Sequence, residues 1–393
     1  MSYDFDKQID RRHTCSYKWN IGDHELPMWV ADMDFEIAPE ILAALENKLS
    51  EHVYGYQIIP DAWYHAYISW WRTRHQTEFT KDSLIFCTGV IPAISSIIRK
   101  LTTPAENVLV QTPVYNVFFN SIYNNGRNIL ENKLKYTHGQ YEIDFEDLEA
   151  KLSDPQTTLF ILCNPHNPIG RIWDKDTLIR IGALCQKYHV TVLSDEIHCD
   201  LTDPGTSYTP YASASDICRN HSITCLAPTK AFNIAGLQTA AVAVPNPALR
   251  HKVWRALNTD EVAEPNILAV PAAIAAFSQG AAWLDALRNY IYDNKQYVKN
   301  FLEHALPKIH LIPSDATYLL WLDCRAYSEE SDVLCRMIRE KTGLYLNNGK
   351  AYRGDGRYFL RMNIACPRAN VVDGMNRLKA ALDAIGTPEP CPS

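Results

Sequence analysis

The chain has 393 residues, 47% of them apolar and 21% charged, with a formal net charge of -7 at pH 7. That length allows two domains, or one large α/β domain with a smaller companion. The acidic balance, unbroken by any basic run, argues against nucleic-acid binding, and no stretch reaches the ~20 apolar residues of a membrane helix.

The first residues, Met1 to Asp6, are polar and acidic and lack the apolar centre of a signal peptide, so a cytoplasmic location is expected. The 11 cysteines are odd in number and form no C-x-x-C pair. Cys87, Cys163 and Cys225 fall in apolar runs, as reduced thiols acting as small hydrophobes do. Cys199, next to His198, is the one candidate for a reactive thiol. The histidines show no H-E-x-x-H or similar spacing, and no metal site is expected.

In chain order, short apolar runs predict strands at 84–87, 107–110, 159–163, 190–193, 222–226 and 239–244. Amphipathic stretches separate them, such as 175–188, where Leu178, Ile181, Leu184 and Cys185 mark one helical face. This alternation predicts an α/β fold: a large, mostly parallel sheet with helices on both faces. Residues 281–306 predict a long helix, with Leu284, Leu287, Ile291, Val298, Phe301 and Leu302 at helical spacing. Beyond it, strands at 318–322 and 358–364 and helices at 332–342 and 370–385 predict a smaller α+β domain. A Pro-rich tail, Thr387 to Ser393, closes the chain.

Ligands gather outside the carboxyl ends of strands in such sheets, and the chemistry-bearing residues cluster there. Thr88-Gly89-Val90-Ile91-Pro92-Ala93 follows a strand and opens a helix, where free N–H groups and the helix dipole suit a phosphate. An ordinary strand-to-helix turn is the plainer alternative. Tyr115 follows the next strand and could equally be a core aromatic. Asn167 lies in Asn164-Pro165-His166-Asn167-Pro168, otherwise a rigid double turn. Asp195 could be only a helix cap, and Lys230, in Pro228-Thr229-Lys230-Ala231-Phe232-Asn233, only a solvated loop residue. Together, asparagine, aspartate and lysine at three successive strand ends are the parts of a pyridoxal phosphate (PLP) site. There the lysine amine bonds the cofactor aldehyde and the carboxylate pairs with the pyridinium nitrogen. Arg361 sits in Tyr358-Phe359-Leu360-Arg361-Met362-Asn363-Ile364, a strand too apolar to leave a guanidinium unpaired. It would meet either a substrate carboxylate or a structural Asp or Glu.

On these motifs the chain resembles the fold-type I PLP enzymes, the aspartate aminotransferase superfamily. Leu26 to Phe35, Tyr54-Gly55-Tyr56 and Asp195-Glu196-Ile197-His198 are similar to the cystathionine β-lyase / cysteine C–S lyase branch. The resemblance implies a PLP-dependent transferase fold type I, with residues 50–283 as the PLP-binding domain and 1–49 with 284–393 as the small domain. It implies that Lys230 is the catalytic base and covalent anchor, and that Asp195 meets the ring nitrogen, with His198 tuning that end. Asn167 would bond the phenolic oxygen and Tyr115 stack on the ring, both also bordering the substrate. Gly89, Val90, Ile91 and Thr229 would hold the phosphate, joined by Tyr56 from the other subunit of a homodimer. Arg361, in R-x-N-x-A-C-P-R, would bind the carboxylate of an amino-acid substrate. The implied reaction is α,β-elimination from L-cystathionine or related cysteine S-conjugates; aminotransfer, or a regulatory protein-binding role, are the alternatives. Two departures stand out: Ala227 replaces a usual serine, and Asn347 to Tyr352 lacks the usual Pro-Gly loop.

Overall fold

A computed structural model describes residues 3–386. The Pro-rich tail predicted from Thr387 and the first two residues lie outside the described residues.

A seven-stranded sheet forms the centre, in the spatial order Leu84–Cys87, Ala240–Ala243, Ser222–Leu226, Thr191–Asp195, Thr157–Cys163, Asn107–Thr112 and Asn128–Lys133. The last five run parallel, as the alternation of strands and helices predicts. In the first four of these the middle residues are buried on both faces, so those strands read as largely apolar runs. Along Thr157–Cys163, Leu159, Ile161 and Cys163 face one core with Ile94 and Ile97 of helix Val90–Leu101. Phe160 and Leu162 face another core, with Leu178 and Ile181 of helix Lys175–Lys187. The Asp174 carboxylate caps that second helix by accepting from the Thr177 N–H at 2.7 Å.

Three differences from expectation have physical reasons. The strand at Ala240–Ala243 runs antiparallel to both neighbours, a direction that an apolar run does not encode. The seventh strand, Asn128–Lys133, was not predicted because it is a polar edge strand with little to bury. Helix Asp61–His75 was also missed; it buries Trp63, Ala66, Tyr67, Trp70 and Trp71 on one stripe.

The long helix Ala281–Ala305 leads to a four-stranded antiparallel sheet, ordered His310–Leu311, Leu319–Asp323, Phe359–Asn363 and Asn347–Asn348. The N-terminal segment is stitched to this second sheet. Leu26–Pro27 pairs in parallel with Leu344–Tyr345, and the Asn363 N–H donates to the Met28 carbonyl at 2.9 Å. Just beyond, the buried Asp34 carboxylate accepts from Lys18 Nζ and Trp19 Nε1, each at 2.7 Å, and from Arg11 Nη1 at 2.9 Å. These bonds fix Trp29 to Asp32 over the carboxyl ends of the central strands.

Candidate active site

Register explains why three residues far apart in sequence meet. Strands Thr157–Cys163, Thr191–Asp195 and Ser222–Leu226 are adjacent, and Cys163, Asp195 and Cys225 lie level across them. Asp195 therefore ends its own strand, while Asn167 and Lys230 follow a few residues beyond the ends of its two neighbours. A cavity of about 260 Å³ opens there, lined by Lys230, Asp195, Asn167, Tyr115, His198 and Thr229, and by Gly89, Val90 and Ile91. Nine of the eleven residues nominated from sequence thus share one cavity; Arg361 and Tyr56 are the others.

Helix Val90–Leu101 presents its N-terminus to the cavity, and no side chain caps it. Its first-turn N–H groups are the donors an anion requires. Gly89 has extended backbone (φ 171°), so its conformation does not demand glycine. Its bare Cα does matter, because a Cβ would lie 3.2 Å from Pro92 Cδ.

Burial sets the charges. Lys230 Nζ donates to the Ala31 carbonyl at 2.6 Å, and desolvation lowers its pKa to about 8; Asp32 and Asp195 pull it up, and Arg361 pushes it down. Burial raises Asp195 to about 6, opposed by the Ile197 N–H at 3.2 Å and the charge of Lys230. His198, buried and facing the cations Lys230 and Arg361, is lowered to about 3 and is a poor base. Among the described residues its Nδ1 has no hydrogen-bond partner.

Arg361 is buried next to the cavity. Nη1 donates to Asn167 Oδ1 at 3.1 Å and Nη2 to the Trp29 carbonyl at 3.0 Å, while Nε has no partner among the described residues. Its guanidinium stacks over the Tyr352 ring at 5.0 Å. Among the described residues its hydrogen bonds go to neutral oxygens, so a structural ion pair does not explain the buried charge. A flat aromatic phosphate bearing an aldehyde and a ring nitrogen would find a complement here for each group: a helix N-terminus, an amine and a buried carboxylate.

Cys199 is not an activated thiol: burial, with Asp200 and Glu196 beside it, pushes its pKa well up. Tyr56 is not part of its own chain's core: residues 52–60 form no strand and Tyr56 is 100% exposed. Ala227 lies in the apolar core. Sequence reading missed Ala31, Gln238 and Thr239, which line the cavity. Ala31 acts through a main-chain carbonyl, which no side-chain motif records. The unusual 347–352 segment adjoins Arg361: Asn347 pairs with it across the sheet, and its Nδ2 donates to the Trp29 carbonyl at 2.8 Å.

Residues 28–378 match the family model described as aminotransferase class I and II. The chain is 43% identical to cystathionine beta-lyase PatB of Bacillus subtilis, over 96% of this chain and 99% of that protein. It is 33% identical to protein MalY of Escherichia coli, over 98% of this chain and all of that one. The crystal structure of cystalysin from Treponema denticola, which contains a pyridoxal 5'-phosphate cofactor, superposes with a TM-score of 0.95 at 32% identity, covering 98% of this chain and 100% of that one. With this agreement in sequence along nearly the whole chain, and in fold, the chain belongs to the aminotransferase class I and II family.

Proposed function

We propose that this protein is a PLP-dependent C–S lyase that performs α,β-elimination on L-cystathionine or related cysteine S-conjugates. The observation that carries this reading is the end-to-end likeness to a cystathionine beta-lyase at 43% identity. When bound, PLP supplies an electron sink for the pair left on the substrate Cα. Asp195, ionised opposite the ring nitrogen, would hold that sink in its protonated, charged form. The helix N-terminus at Gly89, Val90 and Ile91, with the Thr229 hydroxyl, would hold the phosphate; Tyr115 would stack on the ring, and Asn167 would bond its phenolic oxygen. Arg361 binds the substrate carboxylate through its planar fork. Lys230, neutral once its lowered pKa is passed, accepts the Cα proton. The Cβ–S bond then breaks, thiolate leaves, and the three-carbon remainder hydrolyses to pyruvate and ammonia. His198 stays neutral and shapes the Asp195 end of the cavity.

Residues 50–283 form the cofactor domain in this reading, and 1–49 with 284–393 the small domain. A cytoplasmic location accords with the described cysteines, all of which are unpaired. The functional unit is a homodimer in which Tyr56 reaches the neighbour's phosphate. Supporting this is the apolar surface around Tyr56: Val53 is 75% exposed and Ile58 82%.

Incubation with L-cystathionine and no 2-oxo acid tests the reaction. Pyruvate and ammonia should appear in equal amounts. Product that requires an added 2-oxo acid, without ammonia, would make the protein an aminotransferase.

A further inference from the structure

Behind the turn that carries Asp195 and His198, three ligand-type side chains converge outside the cofactor cavity. His75 is the last residue of helix Asp61–His75; Cys199 and Asp200 directly follow His198. One nitrogen, His75 Nε2, lies 2.8 Å from Asp200 Oδ1 and 3.7 Å from Cys199 Sγ, and the three ligand atoms all lie within 4.8 Å of one another.

The geometry distinguishes two uses of such a trio. A nucleophilic relay places the thiol on one imidazole nitrogen and the carboxylate on the other, so that a proton can cross the ring. Here both crowd the same nitrogen, and no relay is possible. A cation between them is the arrangement that uses all three atoms at once. Tetrahedral zinc, with bonds of about 2.0–2.3 Å, needs S···N near 3.6 Å and N···O near 3.3 Å. The first distance is already met, the second requires the imidazole and carboxylate to part by about half an ångström, and S···O, which lies within 4.8 Å, would settle at about 3.6 Å. Trp70 Nε1 donates at 2.9 Å to Asp200 Oδ1, the oxygen that also meets His75, and so holds the carboxylate in place, as outer partners of metal ligands do. The nearby guanidinium of Arg74 is engaged by Asp285, and that of Arg288 by Thr202 and Asp285, so neither neutralises Asp200. The trio borders a second cavity of about 470 Å³, also lined by Thr202 and Tyr208, which leaves room for a water as fourth ligand.

We propose that His75, Cys199 and Asp200 form a binding site for a zinc-type divalent cation, with one coordination position open to this second cavity. The mixed nitrogen, sulfur and oxygen set favours zinc or cobalt over magnesium or calcium, and the metal–sulfur bond replaces the Cys199 S–H bond, its proton passing to solvent. Bound metal would tie the C-terminal end of helix Asp61–His75 to the turn bearing Asp195 and His198.

The test uses the holoenzyme, dialysed against zinc chloride and then metal-free buffer, with metal measured by atomic emission. One zinc per chain is expected in the wild type and in Cys15→Ser, which removes an exposed thiol elsewhere. Cys199→Ala and His75→Gln should each weaken binding about tenfold or more. Cobalt(II) should give the visible ligand-field bands of a tetrahedral thiolate site, lost in Cys199→Ala. Retained cofactor absorbance confirms that each variant is folded; Asp200→Asn replaces any that is not. A wild type that retains no zinc leaves only a His75–Asp200 ion pair and overturns the proposal. Zinc that persists undiminished in folded Cys199→Ala and His75→Gln overturns it equally.

Discussion

Lys230 and Asp195 are perturbed by one cause, burial, and each answers to it differently. Desolvation disfavours the charged form of both, lowering the amine to about 8 and raising the carboxyl to about 6. A lysine neutral near pH 8 is ready to form a covalent bond or accept a proton. Lys230→Ala should therefore lose both turnover and the visible absorbance of bound cofactor; a variant keeping both would displace Lys230 from the centre of the chemistry. Asp195 makes a second, thermodynamic prediction for the protein stripped of cofactor. Its folded pKa lies above the unfolded value of 3.8, so between about pH 4 and 6 the folded chain binds more protons. Its stability contribution is fully present below pH 3.8 and is lost as pH rises through about 6, amounting to about 3 kcal/mol. Urea unfolding of the cofactor-free protein should show Asp195→Asn gaining on the wild type across that window. A stability difference independent of pH would mean that Asp195 titrates normally.

At the scale of elements, what the sequence made legible was what burial writes into side chains. Strands Thr157–Cys163 and Ser222–Leu226 are apolar runs because both their faces are covered, and the residues just after them inherit a predictable place. The polar edge strand Asn128–Lys133 and the reversed direction of Ala240–Ala243 carry no such signature. Nor does the Ala31 carbonyl, which takes both Lys230 Nζ and, at 3.3 Å, the Tyr318 hydroxyl. Arg361 was legible as an anomaly, a guanidinium in an apolar strand, but the carbonyl and amide that hold it were not. Strand Phe359–Asn363 fixes its Cα, while the Trp29 carbonyl and Asn167 aim its fork. Arg361→Lys keeps the charge and loses the two-pronged geometry. The expected outcome is a KM for cystathionine raised about tenfold or more, from loss of one charge-assisted hydrogen bond, with a smaller change in kcat. An unchanged KM would move the carboxylate site elsewhere.

For the whole molecule, the feature that one chain does not use is the surface between helices Pro39–Leu49 and Asp61–His75. Tyr56 stands there fully exposed, with Val53, Tyr54 and Ile58 exposed beside it. A symmetric dimer would cover this surface with an isologous interface and bring each Tyr56 to the neighbour's cofactor phosphate. That arrangement predicts complementation. Lys230→Ala and Tyr56→Phe homodimers should both be impaired, each lacking one part in both sites. In a mixed dimer, one site combines the intact Lys230 of one chain with the intact Tyr56 of the other, and the second site lacks both. Mixing the two variants, with subunit exchange verified, should raise activity above the average of the parents. If Tyr56→Phe alone is clearly impaired and the mixture only averages them, Tyr56 serves the site of its own subunit. A monomer in sedimentation at working concentration would remove the shared site altogether.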